Sequence, residues 1–355
     1  MTAVVPVETI RAFSNGVFHA VGLSAEDAEI VTDVLIHADL RGHGSHGVTR
    51  IPIYAERIQK GVVKANPSVA ISRTAPGFLV VDGDNGPGPV VSLQAMDACI
   101  EAAKESGIAI ASIAHSNHNG AGSYYIERAV AEGCIAIAMT NAPPSMAVFG
   151  GREAVIGTNP LSFGSPTRGD APILLDMATA LVARGKIVEA AKRNEKIPEG
   201  WALDSEGRPT TDAGDAERGV VLPMSGAKGS GLAIMVEVLA GVLAGGRFAG
   251  DMGNLYSDWE LTQDNAHVFI VIDAAKGAAG TTHAERTSRL VEMLKASALA
   301  EGHEVVRMPG EIELTRAAEA SKTGISLSEN VVADLDEIAR KVGASRLSAL
   351  ERADP

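Results

Sequence analysis

Residues 108–140 read IAIASIAHSNHNGAGSYYIERAVAEGCIAIAMT. Residues 108–114 and Cys134–Thr140 are short apolar runs, too brief for buried helices and suited to buried strands. Between them, residues 123–132 carry helical spacing that Gly133 closes. A strand, a helix and another strand predict a βαβ-type sheet. The pattern extends both ways. Phe78–Asp82 is a strand ended by Gly83, residues 92–106 form a helix stopped at Gly107, and 173–176 is a strand ending in an acid. A helix over 231–243, a strand over 268–273 and a helix over 285–301 follow.

The ends of the chain are helical. Pro6 suits a helix start, where its missing N–H costs nothing. Ser24 with Asp27 resembles a capping box, and Ile30, Val31, Val34 and Leu35 follow at helical spacing until the pattern fades near Asp39–Gly42. The tail from Ser326 reads as a packing helix. The expected fold class is mixed α/β, a sheet domain with a helical domain built from both termini. The expected divisions are an N-terminal helical part (1–75), a sheet-containing part (76–284) and a C-terminal helical part (285–355).

Composition bounds the function. The chain has 355 residues, 31 basic and 44 acidic, for a net charge of −13. An acidic chain lacks the basic face that nucleic acid or an anionic membrane surface requires. With 46% hydrophobic and 21% charged residues it can bury a sizeable core. Neither a signal-peptide pattern nor an apolar run of spanning length occurs, so a cytoplasmic protein is expected. The two cysteines, Cys99 and Cys134, form no C-x-x-C pair.

The densest polar cluster is DLRGHGSHGVTR (39–50). If residues 45–50 form a helical turn, His46 and Arg50 share a face. Imidazole exchanges protons near neutrality, and guanidinium holds a carboxylate through two parallel bonds. Ser45 stands beside the imidazole. The same residues suit a polar loop whose His and Arg cap helices and pair with Asp39, and spacing does not separate the two. A second cluster, HSNHNGAGS (115–123), joins a strand to a helix, where ligands gather in α/β sheets. There His118, Asn119 and Gly120 suit a substrate oxygen, although N-cap chemistry explains much of the stretch. Both clusters contain H-x-x-H, which raises a zinc hydrolase as a distant alternative, but the spacing is not H-E-x-x-H. No P-loop occurs, and GPGPVV (86–91) lacks the third glycine of a Rossmann fingerprint. Lys228 and Gly229, at the start of a helix, suit phosphate, and Asp176, at a strand end, suits a ribose hydroxyl or a histidine.

DLRGHGSHGVTRIPIYAERIQKG (39–61), VDGDNGPGPVVS (81–92), SNHNGAGSYY (116–125), MTNAPPSMAVFGGREAVIGTNPLSFGSP (139–166), LLDMATALVARGKI (174–187), LPMSGAKGSGLAIMVEVLAGVLAGG (222–246) and RMPGE (307–311) resemble the malate/L-lactate dehydrogenase type-2 family. The resemblance implies an oxidoreductase that uses NAD or NADP on small 2-hydroxy or 2-keto carboxylic acids, with a non-Rossmann cofactor fold, a homodimer and no metal. It places catalytic roles on Ser45, His46 and His118, and the substrate carboxylate on Arg50. It places cofactor contacts on Asn141, Asp176, Met177, Ala178, Lys228, Gly229, Pro309, Gly310 and Glu311. Members that reduce cyclic imines carry an Asp where Lys186 stands here, and a protonated Lys cannot accept a bond from imidazole. A hydroxy-acid dehydrogenase is therefore favoured, with an imine reductase as the alternative. A non-catalytic binder of the same fold would fail to bind any nicotinamide cofactor.

Overall fold

A computed structural model describes residues 2–169, 171–277 and 282–350. Its strands are β1 (Thr2–Val5), β2 (Ala70–Ala75), β3 (Phe78–Asp82), β4 (Ile108–Ser116), β5 (Cys134–Thr140), β6 (Leu161–Ser165), β7 (Ile173–Met177), β8 (Ala202–Leu203), β9 (Pro209–Thr210), β10 (Val220–Val221), β11 (Asn265–Asp273) and β12 (Ile325–Ser328). Its helices are α1 (Val7–Ala20), α2 (Ala25–Leu40), α3 (Ile51–Gln59), α4 (Gly88–Ser106), α5 (Gly122–Ala131), α6 (Arg184–Lys192), α7 (Ala213–Arg218), α8 (Ala227–Glu237), α9 (His283–Lys295), α10 (Glu311–Thr323), α11 (Glu329–Val342) and α12 (Leu347–Leu350).

The central sheet runs β2-β3-β4-β11-β5-β6-β7. Here the βαβ expectation is corrected: only β3 and β4 pair in parallel, joined by α4, and every other ladder is antiparallel. The two strands of 108–140 are not neighbours, because β11 lies between them. Residues 265–273 alternate as a strand buried on both faces should. Phe269 and Val271 pack with Ala109, Ala111 and the helices α4 and α5. Val268 and Ile270 pack with Val236 and Ala240 on the opposite face. Small alanines in β4 and β5 let the helices approach closely.

The two ends of the chain close a separate helical core. β1 pairs with β12, and Phe13, Val17, Phe18, Leu35, Tyr54, Leu335 and Ile338 pack together there. Ser24 caps α2 by accepting the Asp27 amide at 3.0 Å. The tail differs from expectation in beginning with a strand before its helix, and the helix expected over 285–301 ends at Lys295. A third cluster joins Met146, Ile156, Ile187, Ala202 and Val221 beside the small β10-β8-β9 sheet. No helix is long and apolar enough to cross a membrane among the described residues.

Candidate active site

The loop between α2 and α3 is two 3-10 turns, Gly44–His46 and Val48–Arg50, broken at Gly47. The condition of one helical turn over 45–50 is therefore not met: two 3-10 turns meet at Gly47 instead. His46 and Arg50 are joined another way. Ser45 Oγ and His46 Nδ1 share a hydrogen bond of 3.0 Å, and Arg50 Nε donates to the Ser45 carbonyl at 2.6 Å. That bond fixes the guanidinium while its two terminal nitrogens have no hydrogen-bond partner among the described residues. Arg50 Cζ lies over the ring of Tyr256, 5.5 Å from its centroid.

The loop after β4 delivers His118 to the same place. Its ring stacks on His46 with centroids 5.5 Å apart and planes at 29°. Two donors fix its tautomer. The Tyr54 hydroxyl lies 2.5 Å from His118 Nδ1, and the Gly120 amide points to the same nitrogen at 3.4 Å. A backbone N–H can only donate, so Nδ1 is an acceptor and the ring proton sits on Nε2. Burial, the Arg50 charge and the neighbouring His46 hold His118 well below the ordinary histidine range. His46 is lowered to about 4, chiefly by burial and Arg50, with the Asp176 carboxylate acting in the opposite direction. Both imidazoles are neutral at physiological pH.

Tyr54 escaped the sequence reading. It stands four residues after Arg50, so once α3 is known to begin at Ile51 the two belong to one side of its first turn. Burial raises its phenol pKa, which keeps it a donor.

The remaining candidates sort by position along β7, the edge strand of the sheet. Asp176 receives the Ser162 hydroxyl at 2.8 Å on one oxygen and the Ser123 amide at 2.8 Å on the other. Ser123 in turn meets His37 Nε2 at 3.1 Å. Met177 ends the strand and Ala178 is exposed beyond it. Leu174 donates its amide to the Pro309 carbonyl at 3.0 Å, across the outer edge. Gly310 has φ +92°, and a Cβ there would lie 2.8 Å from Leu174 Cβ, so both conformation and contact require glycine. Glu311 opens α10, bonded to the Met308 amide and paired with Lys295. On the other side, Met224 donates to the Thr179 carbonyl at 2.9 Å, which seats the loop before α8 against the same edge. Ser225 and Gly226 both have positive φ, α8 has no side-chain cap, and Lys228 is exposed in its first turn. Gly229 is needed because a Cβ would lie 2.3 Å from the Met224 carbonyl.

Two candidates are committed elsewhere. Asn141 is buried, its amide donating to the Arg247 carbonyl at 2.8 Å and its oxygen accepting the Ala266 amide at 2.9 Å. Asn119 donates to Ser92 Oγ at 3.2 Å on α4. Lys186 is exposed in the first turn of α6. No group of three or more His, Cys, Asp or Glu is arranged to hold a metal ion among the described residues.

Residues 5–336 match a protein family described as malate/L-lactate dehydrogenase. A malate dehydrogenase of Pyrococcus horikoshii is 37% identical over 351 residues, covering 97% of this chain and 96% of that one. The solved sulfolactate dehydrogenase of Methanocaldococcus jannaschii superposes with a TM-score of 0.91 at 35% identity, covering 98% and 99% of the two chains. A Δ1-piperideine-2-carboxylate reductase from Pseudomonas syringae pvar. tomato superposes with a TM-score of 0.85 at 31% identity, covering 95% and 100%.

Proposed function

The chain belongs to the malate/L-lactate dehydrogenase family and is an NAD(P)-dependent 2-hydroxyacid dehydrogenase, and we propose that its Ser45–His46–Arg50 loop and His118 together work on the acid. The observation that carries this is the stack of two neutral imidazoles beside a guanidinium whose fork is open.

Arg50 receives the substrate carboxylate on its terminal nitrogens, because Nε is already held by Ser45. His118 presents its Nε2–H to the 2-oxygen and polarises it. His46 exchanges the proton on that oxygen: in oxidation the neutral ring takes it, in reduction the protonated ring returns it. Ser45 orients His46 through Nδ1.

The free edge at β7 fits a dinucleotide. In an antiparallel pair alternate residues turn their backbone groups outward. Leu174 does so toward Pro309, and Asp176, two residues on, presents its N–H and C=O the same way. Each Asp176 carboxylate oxygen keeps a lone pair for a ribose hydroxyl. The uncapped start of α8, with Lys228, supports an assignment to phosphate. NAD(P), when bound, supplies or takes up the hydride at the 2-carbon. Met177, Ala178, Gly229 and Pro309–Glu311 shape this edge, whereas the Asn141 side chain acts through the backbone it braces.

We also assign a homodimer: Ile234, Met235, Val238, Val242 and Leu243 leave an exposed apolar stripe along α8 and its continuation, which a second copy would cover in a cytoplasmic enzyme. Sedimentation at equilibrium reads this directly, and a monomer at all concentrations refutes it.

The test of function is a substrate panel. Pyruvate, oxaloacetate, sulfopyruvate and a cyclic imino acid are offered with NADH and NADPH to the wild type and to His46→Ala and Arg50→Ala. Turnover of a 2-oxo acid that both substitutions abolish is expected. The fold shared with a piperideine-carboxylate reductase favours the imino acid as the second reading, and turnover of that substrate alone would establish it.

A further inference from the structure

One acid of the first motif has no part in proton exchange or carboxylate binding. Asp39 stands on the last turn of α2, beneath the loop that carries Ser45, His46 and Arg50. Its Oδ2 accepts the Val48 amide hydrogen at 2.8 Å. The loop backbone also presses on the carboxylate: a Cβ built at Gly47 would lie 2.0 to 2.3 Å from its three atoms. No real Cβ tolerates that approach, and Gly47 has φ −90°, so glycine is required here for contact rather than for a left-handed backbone. Gly47 is also the break between the two 3-10 turns. One turn carries Ser45 and His46, the other Arg50. The Arg50–Ser45 bond ties the turns to each other; the loop's entry is held to α2 by the His43 amide on the Ala38 carbonyl, and among the described residues the bond from Val48 to Asp39 is the one that ties the break itself to α2.

The same helical turn reaches the cofactor edge. His37, two residues earlier, bonds Ser123, whose amide holds Asp176. The end of α2 therefore touches both halves of the site.

We propose that Asp39 is a positioning residue of the catalytic loop: it locks the Gly47 break onto α2, so that His46 and Arg50 meet one substrate molecule together. The proposal rests on the roles given above to His46 and Arg50. What it requires of Asp39 is an acceptor at that point. The charged groups around it are engaged or distant: Arg41 is turned to Glu127 of α5, Arg316 of α10 packs at Gly42, and His43 lies in the loop. None forms an ion pair with Asp39 among the described residues. Burial accordingly pushes its carboxyl up to about 7, against the opposing effect of the Val48 bond.

Three variants test this: Asp39→Asn, Asp39→Ala and Gly47→Ala. Each is measured for kcat and KM toward the acid, for Kd of the reduced cofactor, and for the NMR titration of His46. Asp39→Ala is expected to lower kcat/KM for the acid by about 10²-fold, the effect of a displacement on the order of 1 Å. Cofactor Kd stays unchanged, and the His46 titration rises from about 4 toward its ordinary value as the ring leaves its half-buried seat. Asp39→Asn keeps the acceptor and restores most of the activity. Gly47→Ala, whose Cβ displaces the carboxylate, reproduces the alanine variant, and it carries the test with Asp39→Asn if Asp39→Ala does not fold. Three results overturn the proposal: wild-type turnover and His46 titration in Asp39→Ala, an asparagine variant as impaired as the alanine one, or equal loss of cofactor and acid binding in all three. If His46→Ala were itself fully active, the reading of the loop would fail first; an inactive His46→Ala beside an active Asp39→Ala sinks only the role of Asp39.

Discussion

Replacing Tyr54 by Phe removes one oxygen from a buried site and isolates what fixes the His118 tautomer. In the wild type that oxygen donates to Nδ1 at 2.5 Å. Without it, Nδ1 keeps only the Gly120 amide at 3.4 Å, a long and weak hydrogen bond. Leaving a buried acceptor so poorly satisfied costs up to about 1–3 kcal/mol. The ring can escape that cost by moving its proton from Nε2 to Nδ1. It then turns a lone pair toward the substrate oxygen, where a donor is needed. If the whole cost falls on the transition state, kcat/KM drops by roughly 5- to 160-fold, at 1.36 kcal/mol per tenfold. Burial, Arg50, His46 and His267 still hold His118 neutral, so no new pH limb is expected. The assay is steady-state reduction of the preferred 2-oxo acid, followed by loss of nicotinamide absorbance, with nitrogen NMR of the His118 ring. Unchanged kcat/KM together with an unprotonated Nδ1 would show that Gly120 alone sets the tautomer, and the role given to Tyr54 would be refuted.

Arg50→Lys keeps the charge and loses the fork, so KM for the acid should rise about tenfold or more, the worth of one charge-assisted bond; cofactor Kd should not move, and an unchanged KM would contradict the carboxylate assignment. The buried imidazoles make a prediction about acid stability. His37, His46, His118 and His267 all have folded-state pKa values below the ordinary 6.5, the last at about 3, each because burial disfavours the cation. Through these four rings the unfolded chain binds more protons than the folded one below pH 6.5, down to about pH 3; Asp39, raised to about 7, and Glu127, also raised, work in the opposite direction, and the four rings outnumber them. Tm measured across this window should fall with pH, and His267→Asn should lessen the slope; a flat Tm would contradict the burial of these rings. Gly310→Ala combines a left-handed φ of +92° with a Cβ 2.8 Å from Leu174, so the turn beside β7 must shift; cofactor Kd should increase, and titration showing wild-type affinity would remove this turn from the cofactor edge.

What the sequence revealed and what it hid follow from the range of the forces involved. Local features were legible. The Ser24 cap, the stop at Gly107 and the apolar runs of β4, β5 and β11 depend on neighbours within a turn or along one strand. Sheet order depends on partners far apart. β11 enters between β4 and β5 from more than a hundred residues downstream, and nothing in its alternation says which strands it will meet. The same limit applies at the site. His46 and Arg50 could be singled out together because they share a motif, but the condition attached to their pairing, a helical turn over 45–50, is not met, because the backbone breaks at Gly47 between two 3-10 turns. That His118 stacks on His46 is a contact across 72 positions, which the spacing within neither motif specifies. Asn119 looked equal to His118 in the sequence, yet β4 ends in a loop that turns the two side chains to different partners, Ser92 for one and Tyr54 for the other.

The guanidinium of Arg50 has two effects that oppose each other until substrate arrives. It suppresses protonation of both stacked rings, standing next after burial among the causes of their low pKa values. It is also the group assigned to the substrate carboxylate. A bound carboxylate would neutralise most of that field, since an anion a few ångströms from the guanidinium offsets its charge at any point farther away. The suppression of His46 would then relax, and Asp176, which already acts to raise it, would count for more. In the free enzyme a ring with a pKa of about 4 is a weak base; in the complex it moves toward the neutrality that proton exchange at physiological pH requires. His118 is less open to this change, because burial and the neighbouring His46 and His267 also hold its pKa down. On the roles proposed above, one carboxylate would thus separate two similar histidines: His46 would gain basicity on binding and exchange the proton, while His118 would stay neutral and donate its hydrogen bond.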